Sequence, residues 1–154
     1  AATTGFVDFA IACTILGGMM IWYGFVPGLV GLLTFPILLL TCVMCAMGMG
    51  LFLSAINVKY RDVRHALPFF VQTLMYVTPV IYPASMLDKH PWAKIAMSWL
   101  NPMSGVISNA RAGLLGQSEF NWNLMFISLF MSIVYLIIGL RYFRLTERYF
   151  ADIA

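Results

Sequence analysis

The side chains of this protein that could do chemistry in water are few, and several are crowded into one short stretch. Lys59, Arg61 and Asp62 fall within Asn57-Val58-Lys59-Tyr60-Arg61-Asp62-Val63, and Arg64 follows directly. A cluster of this kind can fix the polar register of a contact with another protein, or it can be a solvated loop held on one side of a membrane by its positive charge. The parts needed for catalysis are missing. No G-x-x-x-x-G-K-S/T phosphate loop, H-E-x-x-H, G-x-S-x-G or carboxylate pair at helical spacing occurs, so no nucleotide cradle, zinc site or activated serine is expected. His65 and His90 are separated by an apolar stretch and are expected on opposite sides of a membrane, where they cannot act together. Cys42-Val43-Met44-Cys45 has C-x-x-C spacing, but no second cysteine pair or histidine lies nearby, and a structural zinc usually takes four ligands. We expect no catalytic residue, no metal site and no cofactor bound by this chain.

The elements that must position the charged stretch follow from where charge is absent. Hydrophobic residues make up 62% of the sequence and charged ones 10%, against about 45–50% and about 25% in an ordinary globular domain. A water-soluble fold would lack the polar surface to cover itself. The formal charge of +3, from 9 basic and 6 acidic residues, is too scattered to track a phosphate backbone, which excludes nucleic acid as a partner. No Asp, Glu, Lys or Arg occurs in 9–58, 65–87, 95–110 or 120–140. Each such residue costs about 2.5–3.5 kcal/mol at mid-bilayer, and about 20 residues suffice to cross.

The expected fold is therefore all-α, a polytopic membrane helical bundle forming one domain over 1–154. Spans are expected at about 5–25, 31–56, 66–83 and 121–141, with a tail at 142–154. Gly24-Phe25-Val26-Pro27-Gly28 supplies the turn between the first two. Pro36 and Pro68 are expected near the starts of their helices, where a missing N–H is harmless. Between the last two spans the pattern changes. His90-Pro91 opens one short helix; Asn101 is a natural N-cap with Pro102 at the first helical position, and Gly116 fits the stop of a second. At 1.5 Å per residue that second helix covers about 21 Å, too short to cross, so 91–116 reads as a re-entrant or interfacial hairpin. Lys59, Arg61 and Arg64 after the second span, and Arg141, Arg144 and Arg148 after the fourth, place both segments in the cytoplasm by the positive-inside rule.

Several residues admit two readings. Cys42, Ala46, Gly50 and Ser54 form a small-residue stripe, either a seam for close approach of another helix or ordinary packing. The 11 methionines read as pliable packing. Trp22, Tyr23, Tyr82, Trp92, Trp99 and Trp122 fall near expected membrane boundaries and read as interfacial anchors; alternatively Tyr76, Tyr82 and Trp99 line a route and stack on sugar rings. Arg111, inside the hairpin, is either a functional ionisable group or a side chain snorkelling to the headgroups. The chain opens Ala-Ala-Thr-Thr with no basic n-region or cleavage site, so no signal peptide is visible and a longer natural N-terminus is expected.

The stretch Asn57-Val58-Lys59-Tyr60-Arg61-Asp62-Val63 resembles the segment between the fourth and fifth spans of type-two ATP-binding-cassette (ABC) export permeases. Thr78-Pro79-Val80-Ile81-Tyr82-Pro83, Asn101-Pro102, Arg111 before Gly116, and Thr146-Glu147-Arg148-Tyr149-Phe150-Ala151-Asp152 follow in the family's order. The tail is most similar to the branch exporting polysaccharides such as O-antigen, capsule or teichoic acid. The resemblance implies a permease subunit of an ABC transporter exporting a lipid-linked polysaccharide across a bacterial plasma (inner) membrane, with spans three to six of six represented here. It implies as partners a nucleotide-binding ATPase subunit carrying ATP and Mg, a second permease copy in a homodimer, the lipid bilayer and a lipid-linked glycan substrate. Val58, Lys59, Tyr60, Arg61, Asp62 and Val63 would then form an ATPase-coupling loop. Tyr76, Pro79, Tyr82, Pro83, Trp99, Asn101, Pro102 and Arg111 would contribute to a gate or conduit. The alternatives are a permease of the same fold for drugs or small lipids, and a non-transporting membrane scaffold.

Overall fold

Two long apolar helices running side by side in the same direction organise the computed structural model, which describes residues 2–60, 62–78, 90–116 and 119–151. The order is α1 (Ala2–Trp22), α2 (Leu29–Lys59), α3 (Val63–Val77), α4 (Pro91–Leu100), α5 (Pro102–Leu115) and α6 (Trp122–Ala151), with no strand among the described residues. α1 stops where the sequence loses helix propensity. Phe25 N–H donates to Met20 O at 2.9 Å and Gly24 N–H to Ile21 O at 3.2 Å, with Gly24 at φ 70°, a left-handed terminus that glycine adopts without a Cβ clash. Of the described side chains of α1 only Met20 is buried, so this helix adds little to the core.

α2 has 31 residues, about 46 Å at 1.5 Å per residue, longer than the roughly 30 Å of bilayer hydrocarbon. It begins at Leu29, two turns before Pro36, which therefore lies inside the helix rather than at its start. The glycine turn before it, with Gly28 extended, lets the helix begin as soon as the chain can turn. α3 likewise starts at Val63, so Pro68 sits in its second turn. Membrane helices tolerate such interior prolines because neighbouring groups re-satisfy the freed carbonyl.

The inward face of α2 carries Gly31, Thr34, Leu38, Thr41, Cys45 and Gly48 at alternating three- and four-residue spacing, with Ala55 two turns further on. On α6 the buried positions are Leu124, Met125, Ser128, Ser132 and Gly139. Leu38 packs on Met125 and Val106, Gly48 meets the backbone of Tyr135 and Leu136, and the Phe52 and Tyr142 rings stand 5.1 Å apart. Contacts that rise together along both chains mean parallel helices. α5 runs antiparallel between them: Gly113 lies against Gly31, Val106 against Leu38, and Gly105 against Ser128. Lys59, Arg141 and Arg144 consequently share one end of the bundle.

Small residues make these crossings. A Cβ on Gly113 would lie 2.6 Å from Gly31 Cα, and one on Gly139 would overlap Gly48 O. Such backbone contact is how helices gain van der Waals energy where lipid is as apolar as any side chain. The Cys42, Ala46, Gly50 and Ser54 stripe is not the tight seam: Ala46 and Ser54 are exposed, and a Cβ on Gly50 would meet nothing within 4 Å. Only Cys42 of that set packs against the Leu38 cluster. α2 (Leu29–Lys59) and the Trp122–Glu147 part of α6 are long and apolar enough to cross a membrane, and only 28% of each apolar window is buried. So much outward apolar surface needs lipid or partner helices against it.

Candidate functional site: a charged turn and an interhelical corner

At the shared basic end of the bundle α2 gives way to α3 through a tight reversal. Tyr60 leaves the helix at φ −127° and ψ 100°, while its N–H still donates to Ile56 O at 2.8 Å. Val63 N–H then donates to Tyr60 O at 3.1 Å and His65 N–H to Asp62 O at 3.1 Å, two backbone bonds that close the turn. Val58 and Tyr60 are 56% and 54% exposed, Asp62 is exposed and Val63 half-buried. Lys59 Nζ stands 5.5 Å from the centroid of the Tyr60 ring, within cation–π range. The turn thus offers two apolar side chains and flanking charges to whatever lies beyond the bundle. Arg61 lies outside the described residues. Beside the turn, Gly50, Leu53, Ser54 and Asn57 of α2 face Leu67, Pro68, Val71 and Gln72 of α3 across an open groove of about 730 Å³.

The second site is the corner between α4 and α5. Asn101 caps α5 as its sequence position predicts: Met103 N–H donates to Asn101 Oδ1 at 3.1 Å, and Gly116 closes the helix in the left-handed region at φ 63°. The Asn101 amide also donates from Nδ2 to Thr78 Oγ1 at 2.5 Å, joining the corner to the end of α3. Tyr135 donates its hydroxyl to Leu100 O at 2.7 Å, and Trp99 meets Phe130 edge-on at 6.4 Å. Tyr135 is about 20 Å along α6 from Trp122 at 1.5 Å per residue, midway through the apolar stretch. Tyr135→Phe should lower the unfolding free energy by about 0.6 kcal/mol and no more than about 1.7, the range for side-chain hydrogen bonds inside membrane bundles. Denaturation in detergent would check this, and a loss of several kcal/mol would mean the corner depends on that single bond.

Of the gate candidates, Trp99, Asn101 and Pro102 are brought together. Tyr76 is 66% exposed on α3 and takes no part in the Asn101 and Tyr135 hydrogen bonds of the corner. Arg111 is half-buried toward the other end of α5, two residues from Asn109. Pro79, Tyr82 and Pro83 lie outside the described residues. Sequence reading overlooked Asn109, which is 1% exposed. Its Nδ2 donates to Asn121 O at 3.1 Å and its Oδ1 accepts from Asn121 N–H at 3.0 Å, while Asn121 Oδ1 caps α6 by accepting from Leu124 N–H at 3.2 Å. An amide in a long uncharged run was the available signal, since buried polar groups need partners.

The sequence model of the family described as "ABC-2 type transporter" matches residues 2–115, most of the chain. The chain belongs to the ABC-2 type transporter family. This ABC-2 chain is similar to two O-antigen export system permease proteins RfbA from Klebsiella pneumoniae, each 25% identical over 134 residues, covering 85% of this chain and 49% of the relative. A protein of the same description from Myxococcus xanthus is 31% identical over 78 residues, covering 51% of this chain and 30% of its own length. The ABC-2 chain thus spans about half the length, or less, of these curated relatives. No solved structure gives a significant match. Family membership and the outward apolar helices together make it a membrane protein.

Proposed function

We propose that this chain is the membrane-embedded part of a permease subunit that exports a lipid-linked polysaccharide across a bacterial plasma membrane. The work comes from ATP and Mg bound to a separate ATPase subunit, and a second permease copy completes the conduit. The observation that carries the reading is the exposure of Val58, Lys59, Tyr60 and Asp62 where α2, whose inward face forms the core of an ABC-2 domain, gives way to α3. In this reading Val58 and Tyr60 enter an apolar cleft of the ATPase, with Lys59, Arg61 and Asp62 setting polar register. The similarity to O-antigen export permeases supports a polysaccharide cargo.

In this reading the protein crosses the membrane several times, with spans at about 5–25, 31–56, 66–83 and 121–141 and the basic end of the bundle in the cytoplasm. The α4–α5 unit is a re-entrant hairpin forming an outer gate. Supporting this, Gly113 lies near the Leu29 end of α2 while Leu100 reaches the level of Tyr135, so α5 descends partway into the bundle. Shielding of its corner by α6 is what a bent backbone at membrane depth requires.

Arg61→Ala combined with Asp62→Ala should lower glycan export about tenfold or more while ATP turnover and folding persist, since each charge-assisted hydrogen bond contributes about 1.5–3 kcal/mol. Reconstituted vesicles holding the permease and its ATPase would measure both rates, and unchanged export in the double variant would reject the coupling role. A mild-detergent pull-down that recovers neither a phosphate-loop ATPase nor a glycolipid would reject the export reading itself.

A further inference from the structure

We infer that the Thr78–Asn101 hydrogen bond is a positioning link through which α3 carries movement of the charged turn to the α4–α5 corner. The inference rests on the export reading and adds to it a route inside the chain. α3 is built as a rod attached at its ends. Between Val63 and Val77 it buries no residue. The open groove of about 730 Å³ lies along one side, and a second cavity of about 160 Å³ reaches Phe70, between α2 and α6. A continuous α-helix is a rigid element, so displacement of the turn at one end is carried along its axis to the other. Its lower end is the tight turn, closed by the Val63-to-Tyr60 and His65-to-Asp62 backbone bonds. Its upper end is Thr78, which is 6% exposed.

The bonding at that upper end has a defined direction. The Thr78 hydroxyl donates to Leu74 O at 2.7 Å, which leaves its oxygen to accept from Asn101 Nδ2. Asn101 Oδ1 is already accepting from Met103 N–H, which turns the amide nitrogen toward Thr78. The Thr78 hydroxyl donates to one partner and accepts from the other, and Asn101 divides the same two senses between its nitrogen and oxygen, so the last turn of α3 and the first turn of α5 are joined through two side chains. Away from water such a pair is not readily exchanged for solvent hydrogen bonds. Displacement of Thr78 therefore acts on the residue that caps α5, and the Leu100 carbonyl beside it is held by Tyr135 as a fulcrum on α6.

The test uses the complete permease assembled with its ATPase, with Cys13, Cys42 and Cys45 replaced by alanine and Leu100→Cys as a reporter of the corner. Adding ATP should change the rate of maleimide labelling at position 100 by about fivefold or more, the low end of measured coupling between linked sites. Thr78→Val, which keeps the shape and removes the hydroxyl, should make labelling insensitive to nucleotide while ATP turnover stays within about twofold of the parent. Thr78→Ser should restore the response. Persistence of the response in Thr78→Val would overturn the link, as would parallel loss of assembly and ATP turnover, which would mark the bond as merely structural. If labelling of the Thr78 parent ignores nucleotide, the link is also rejected. A parent that responds but moves no glycan rejects the export reading alone.

Discussion

Gly48→Val or Gly139→Val should stop α2 and α6 from closing on each other and cost more stability than the loss of any one side-chain hydrogen bond in the bundle. A Cβ on Gly48 would lie 2.6 Å from Leu136 N and Tyr135 C, and one on Gly139 would collide with Gly48 O. Those are backbone atoms that cannot rotate away, so the helices must separate along their contact. Overpacking a well-filled core costs about 1–3 kcal/mol, and the branched carbons of valine put the expected loss at or above the upper figure. Gly31→Val should act similarly at the α2–α5 crossing, where the Cβ would overlap Gly113 O. Gly31 and Gly48 are about 25 Å apart along the helix, so their effects should add. Gly50→Ala is the control. With nothing within 4 Å of its Cβ, it should leave stability unchanged or raise it by up to about 1 kcal/mol through helix propensity. Unfolding curves of the four variants in one detergent would decide the matter; equal losses at Gly48 and Gly50 would refute this packing.

The second large effect is expected at Asn109. Asn109→Leu keeps the γ-branched outline, with bulkier methyl ends, but strips partners from the N–H and C=O of Asn121 at the mouth of α6. The expected cost is about 1–3 kcal/mol, the penalty for orphaning groups in a poorly hydrated site. Amide exchange at the first turn of α6 should accelerate in step. Asn109→Asp should be worse at neutral pH, because a carboxylate at a position 1% exposed must give up its hydration and cannot donate to Asn121 O. Burial raises the pKa of such a carboxyl, so the added loss should shrink on acidification as the group becomes neutral. Equal stability of the aspartate variant at pH 5 and pH 8 would show that position 109 is wetter than its burial implies.

The helix ends show how far local chemistry carries. Gly24, Asn101, Pro102 and Gly116 act in the structure as their types predict, because caps and left-handed stops depend on a few adjacent residues. The charged turn was legible for the same reason: Val58, Lys59, Tyr60, Asp62 and Val63 are neighbours in the chain and stay neighbours in space. Thr78 and Asn101, 23 residues apart, became partners only when α3 and the corner met. Asn109 and Asn121 are separated in the same way by the turn between α5 and α6.

By itself the amino-acid order determined that the chain is helical, that its uncharged stretches suit hydrocarbon, and where the short helices α4 and α5 begin and end. Which side of each helix faces inward was decided by the tertiary structure. In a soluble helix a polar face points outward and reveals the inner one, but α2 is apolar or small all round, so the series through Gly31 and Gly48 and the series through Gly50 look equally suited to contact. Backbone-to-backbone fit with Gly113 and Gly139 selected the first, and that fit arises only once α5 and α6 are in place.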